Sequence, residues 1–199
     1  MTDPLPLGQK LFLQKLAAVH TMTDETAQEF LDQFDPDDMQ CDCVDDCLTS
    51  INKQLTVGFG MEIVTMVDKD GNKFHALINQ HADQVAKESF GSTYDADTRY
   101  FVRQVLESLV EGPSVRSTLI NLRTKLQPPL KLDIDKADQC IENLLDEHWL
   151  QRDDGDNKRR RDSMNAKIEL GPRAFLELSV LLMDMGFPQD DLPQFLFHR

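Results

Sequence analysis

The sequence predicts a mainly α fold with small β-hairpins, of the α+β class, and three observations predict it. Residues 134–185 run in the order helix, short strand, charged loop, strand, helix. The first half of the chain has helices followed by two β-rich runs, joined by a turn containing Asp70-Gly71. Apolar residues of the helical segments recur at three-and-four spacing, whereas the strand segments are β-rich or alternate apolar with polar residues. Helices closed by a hairpin, twice over, give the order of tandem winged-helix domains. The predicted layout is a first domain at 1–90, a second at 91–186, and a tail at 187–199.

The first helix is read over Leu5 to His20 from Leu7, Leu11, Phe12, Leu16 and Val19. Thr23, with Asp24 and Glu25 behind it, gives the N-cap and acidic first turn of a second helix. Its stripe is Ala27, Phe30, Leu31 and Phe34, and Asp35-Pro36 ends it. A third helix, about Asp42 to Val57, places Val44, Cys47, Leu48, Ile51 and Leu55 on one face. Met61 to Val67 and Lys73 to Asn79 are then two strands around Asp68-Lys69-Asp70-Gly71-Asn72, where Asp-Gly signals a hairpin.

The polar stretch His81 to Thr98 holds the predicted boundary, near Ser89 to Asp95. Tyr100, Phe101, Val105, Leu106 and Leu109 form the next helix, which Gly112-Pro113 ends. Ser114 is read as the cap of a helix carrying Val115, Leu119, Leu122 and Leu126, and Pro128-Pro129 as its end. Behind the start signal Asp133 to Asp135 come Ile134, Ala137, Ile141, Leu144 and Leu145. Trp149-Leu150 begins a strand, and Ala166, Ile168 and Leu170 alternate with polar residues in another. Between the two strands, Arg152 to Met164 has no apolar residue before Met164, so it is read as a solvent-exposed wing. Gly171-Pro172 supplies the stop and first-turn proline of the last helix.

Composition bounds the function. There is no run of 18 apolar residues and no basic-then-hydrophobic N-terminus, so neither a membrane span nor a secretory signal is expected. Four clustered cysteines fit a reducing, intracellular setting better than a disulfide framework. Net charge is −14, placed unevenly: residues 1–100 hold 7 basic and 18 acidic side chains, a net of −11, and residues 101–199 hold 14 and 17, a net of −3. No Lys or Arg lies between Leu16 and Asn52. Phosphate backbones are held by Lys and Arg, so this half calls for a protein partner.

Lys158, Arg159, Arg160 and Arg161 in the wing are the candidate DNA-binding residues, capable of salt-dependent contact with a backbone, although Asp153, Asp154, Asp156 and Asp162 flank them. Cys41, Cys43 and Cys47 carry soft-ligand chemistry, but no second Cys or His pair stands nearby to complete a zinc site. Asp68 to Gly71 has its glycine at the wrong position for a calcium loop and is read as a turn. Met185-Gly186-Phe187-Pro188 resembles a ubiquitin-binding loop, but it is read as a helix C-cap. The five histidines are scattered, with no phosphate loop or nucleophile elbow, so no catalytic residue is assigned. The last helix is apolar nearly all round, which requires burial on more than one side, against the first domain or a partner subunit. Candidate partner-binding residues are Leu11 and Phe12 on the first helix and Leu178, Leu181, Leu182 and Met185 on the last.

Three stretches resemble the non-SMC element one family, subunits of the structural-maintenance-of-chromosomes five/six complex: Ala137 to Leu150 ending in Trp149-Leu150, the run Leu170 to Leu178, and the hairpin Glu62 to Asn79. The resemblance covers roughly residues 5–186 in element order. It implies a subunit that docks a MAGE-type winged-helix partner (non-SMC element three) and the kleisin (non-SMC element four), acting in nuclear DNA repair. It also implies a RING-like domain holding zinc and supporting ubiquitin-ligase activity. No residue of this sequence matches that domain, so neither zinc nor catalysis is assigned here, and a truncated sequence is the favoured expectation.

Overall fold

A computed structural model describes residues 4–79, 94–152 and 165–198. These fall into two compact units, the first built from the N-terminal segment together with residues 193–198, the second from residues 94–192.

In the first unit, α1 (Leu7–Val19) buries Phe12 and Leu16, and β1 (Thr21–Thr23) comes directly after it without a loop. The Thr23 hydroxyl accepts from the Thr26 N–H at 3.2 Å and opens α2 (Asp24–Leu31). A short α3 (Pro36–Met39) begins on its proline. The long α4 (Val44–Phe59) buries Val44, Cys47, Leu48, Ile51, Asn52 and Leu55, and Gly60 stops it in the left-handed conformation at φ 62°. Then come β2 (Met61–Val67) and β3 (Lys73–Asn79), paired antiparallel from Met61↔Asn79 to Val67↔Lys73. Their turn is held by the Asp68 carboxylate, which accepts from the N–H groups of Asp70 and Asn72 at 2.9 and 2.8 Å. β1 adds to the outer edge of β3, and β7 (Gln194–Phe197) adds to the outer edge of β2.

In the second unit, α5 (Ala96–Val110) is capped by the Asp95 side chain on the Thr98 N–H at 2.9 Å. β4 (Ser114–Val115), α6 (Arg116–Asn121) and a 3-10 turn (Leu122–Lys125) lead to α7 (Ile134–Asp146). β5 (Leu150–Arg152), β6 (Lys167–Leu170) and α8 (Pro172–Asp184) complete the unit, with a sheet in the order β4-β6-β5. Its core gathers Phe101, Val105, Leu106, Leu119, Ile141, Leu144, Leu150, Ile168 and Leu182. Gly171 lets the start of α8 pass close to the preceding turn: a Cβ there would meet the His148 carbonyl oxygen at 2.3 Å.

Each unit therefore runs helix, strand, helices, then a two-stranded hairpin, the winged-helix order twice over. Several expectations change. Ser114 does not cap a helix. It enters β4 opposite Ile168, and the Arg116 N–H is satisfied by the Ala166 carbonyl at 2.9 Å. Ile134 is exposed, and the buried face of α7 begins at Ala137. The segment 193–198 is not a tail: Phe195, Leu196 and Phe197 pair with Met66, Thr65 and Val64, so the chain returns to the first unit after finishing the second. The boundary expected near Ser89 to Asp95 lies mostly outside the described residues.

Candidate functional site

The third long helix of a winged helix stands where a helix-turn-helix protein presents its groove-reading side chains. In the second unit that helix is α7, and its solvent side carries Asp135, Asp138, Glu142 and Asp146 against Lys136. The basic groups nearest it are turned inward. Arg116, almost buried, gives its Nε and Nη2 to Asp138 Oδ1 at 3.0 and 2.6 Å and its Nη1 to Glu142, while Arg152 reaches the other Glu142 oxygen at 3.2 Å. In the first unit α4 opens with exposed Asp45 and Asp46, and exposed Glu25, Glu29, Asp32, Asp35, Asp37, Asp38 and Asp42 precede it. The start of α4 with the segment before it, and the exposed acids of α7, thus meet solvent with excess negative charge, which repels phosphate and suits a protein surface.

Of the residues expected to meet a partner, Phe12, Leu178 and Leu182 are buried in the cores of their own units and have no surface to offer. Leu11, Leu181 and Met185 are half-buried. The all-round apolar character of α8 is largely consumed at home. Leu178 leaves helical geometry at φ −121° and ψ 15°, so the helix bends, keeping Ala174, Leu178 and Leu182 on the core. Beyond its end the chain folds back: the Phe187 N–H donates to the Leu182 carbonyl at 2.9 Å, and the Phe187 ring meets Phe175 edge-on at 5.4 Å. Left in solvent are Val180 and Met183, one turn apart, 40% and 37% exposed. Sequence reasoning missed them because a stripe running round the whole helix does not say which side is spare.

It also missed Val57 and Phe59, 87% and 75% exposed at the end of α4. Both lie off the stripe that ends at Leu55, and that displacement was the available signal. The basic wing Lys158 to Arg161 lies outside the described residues.

The cysteines do not form a reactive centre. Cys47 is buried, and burial pushes its thiol far up, with Cys41 and Cys43 beside it adding in the same direction. Burial likewise raises Cys140 to about 12. Among the described residues no group of three His, Cys, Asp or Glu stands ready to hold a metal ion, and no helix is long and apolar enough to cross a membrane.

A titratable network does exist, and sequence reasoning did not find it. Thr65 on β2 is fully buried, and its hydroxyl lies 2.7 Å from His75 Nδ1 on β3 and 2.6 Å from His198 Nε2 just past β7. His75 Nε2 reaches Asp24 Oδ1 at 3.1 Å, and His198 Nδ1 stands 3.9 Å from Asp45 Oδ1. Desolvation lowers both imidazoles below the ordinary histidine value; Asp24 pulls His75 the other way, as does Asp45 for His198, where Lys73 adds to the lowering.

Two helix-and-hairpin units in succession define a tandem winged-helix protein. The family model described as the Nse1 non-SMC component of the SMC5-6 complex matches residues 9–128, more than half of the sequence. The chain belongs to that family. It is also similar in structure to a chain of a solved Nse1-Nse3-Nse4 complex, with a TM-score of 0.65 and 21% identity, over 89% of this chain and 73% of that one. No curated protein matches the sequence.

Proposed function

We propose that this chain is an interaction subunit of the SMC5/6 complex that docks the MAGE-type Nse3 and the kleisin Nse4, and that it works in the nucleus in DNA repair and chromosome maintenance. The observation that carries the reading is the run of exposed acids from α2 to the start of α4, with no Lys or Arg among them, together with the exposed acids of α7. Membership of the Nse1 family and the likeness to a chain of the Nse1-Nse3-Nse4 complex support the choice of partners. Zinc binding and ubiquitin-ligase chemistry belong to the RING-like domain that the family resemblance implies and are assigned to no residue here.

Within this reading Val180 and Met183, flanked by half-buried Leu181 and Met185, supply the apolar anchor, since desolvated apolar side chains at the centre of a patch dominate docking energy. Val180→Glu with Met183→Glu changes only exposed positions, so the fold should survive. The test is co-purification with the MAGE-type subunit at moderate salt. Wild-type complex lost in the double variant, with an unchanged circular dichroism spectrum, supports the anchor. Equal binding by the variant moves the interface elsewhere, and a wild-type chain indifferent to both partners overturns the function itself.

A further inference from the structure

The strand β7 is held weakly by its own side chains. Gln194 and Phe197 are exposed and Phe195 and Leu196 only half-buried, so apolar burial contributes little to its docking. The next residue, His198, is held by polar contacts instead. Its carbonyl accepts from Asn52 Nδ2 of α4 at 3.0 Å, and its ring enters the network around Thr65. We propose that His198, Thr65 and His75 form a proton-responsive latch that holds β7 in the first unit's sheet and releases it on acidification.

The partners fix the proton positions. Asp24 is a carboxylate and can only accept, so neutral His75 carries its proton on Nε2 and leaves Nδ1 as an acceptor. The Thr65 hydroxyl spends its single proton on that Nδ1, so His198 Nε2 must donate to Thr65 Oγ1. The chain of bonds is then complete with both rings neutral. A proton added to His75 Nδ1 would set two donors, N–H and O–H, against each other in a fully buried site unless Thr65 turned its hydrogen to His198 and that ring moved its own proton from Nε2 to Nδ1. A proton added to His198 falls on Nδ1. There it gains Asp45 of α4 and Glu62 of β2, opposed by Lys73 of β3; at the His75 end Asp24 of α2 and Asp45 favour the proton and the neighbouring His198 opposes it.

Burial outweighs the favourable acids, so both rings take up a proton less readily in the docked state than in water. A group of this kind contributes stability above its free value of 6.5, and the contribution is lost as pH falls below it, because the released strand binds the proton first. The latch is closed at neutral pH and loosens under mild acid.

Amide hydrogen exchange between pH 7.5 and 5.0, corrected for the intrinsic pH dependence of exchange, tests this on the intact chain. Opening at residues 195–197 should rise as pH drops below 6.5, up to tenfold per pH unit for one proton, while α1 amides hold their protection. His198→Asn keeps a side-chain N–H and cannot titrate. It should leave those amides with a shallower pH profile, since only His75 then titrates in the network. Nitrogen NMR of the rings at pH 7.5 should show the Nε2–H tautomer for both histidines. Strand protection independent of pH, a variant that tracks the wild-type profile, or an Nδ1–H tautomer at His198 would each overturn the latch.

Discussion

Asn52 is the point where three elements of the first unit are tied by one side chain, and its replacement by alanine has a calculable cost. On α4, 1% exposed, it donates from Nδ2 to the carbonyls of Ile63 and His198 at 2.9 and 3.0 Å, and its Oδ1 accepts from the Ile63 N–H at 2.7 Å. In Asn52→Ala the buried Ile63 N–H and C=O both lose a partner. A buried backbone group stranded in this way costs about 1–3 kcal/mol, and the His198 carbonyl, nearer solvent, recovers water at small cost. The expected loss is about 3 kcal/mol, a large share of the stability of a domain this size. Urea unfolding followed by far-ultraviolet circular dichroism measures it through the midpoint at constant slope. Asn52→Asp separates the parts: it keeps the acceptor for the Ile63 N–H but sets a carboxylate against two carbonyls, so it should be at least as harmful as alanine. A loss below about 1 kcal/mol for alanine would mean that these bonds do not tie β2 and β7 to α4, and the reasoning would fail.

The other expectations concern the second unit and the wing. Gly171→Ala puts a Cβ against the His148 carbonyl oxygen at 2.3 Å and the Leu150 carbonyl carbon at 2.9 Å, so backbone must move. A loss of about 1–3 kcal/mol is expected, read by the fluorescence of the single tryptophan, Trp149, during urea unfolding. Arg116→Ala frees Asp138 and Glu142 to repel each other, and because both acids are about a third exposed the cost should stay near 1–2 kcal/mol; a neutral result would show that water replaces the fork. Alanine at all four of Lys158, Arg159, Arg160 and Arg161 should flatten the salt dependence of any duplex binding by the intact chain, and an unchanged slope would remove the wing as a contact.

How much of this was legible in the sequence depended on element length and on whether partners were near in the chain. The strands β2 and β3 were read to their observed ends, because an Asp-Gly turn between two β-rich runs leaves one register. The helices α7 and α8 start within a residue of expectation, owing to Asp133 and to Gly171-Pro172. The strands β1 and β4, three and two residues long, are too short to show alternation. The strand β7 has its partner about 130 residues upstream, so nothing local announces the pairing. The network around Thr65 was hidden for the same reason, yet a trace of it was visible. Thr65 interrupts the run Met61 to Val67, which is buried on both faces, and a hydroxyl in such a strand must find a partner.

Charge placement also decides what this pair of winged helices can recognise. The fold itself is neutral on the matter, since a three-helix unit with a hairpin can offer its third helix to a groove or to a protein. Groove binding needs cations free to replace counterions, whereas the two arginines nearest α7 are committed to Asp138 and Glu142 of the helix itself. Releasing them would uncover two more acids, so no side-chain rearrangement makes that face attractive to phosphate. In the first unit no Lys or Arg occurs from Leu16 to Asn52, through α2, α3 and the start of α4, so no cation of that segment can offset its acids at neutral pH. The exposed acids of α7 and of the segment from α2 to the start of α4 therefore offer little to phosphate and more to a protein surface.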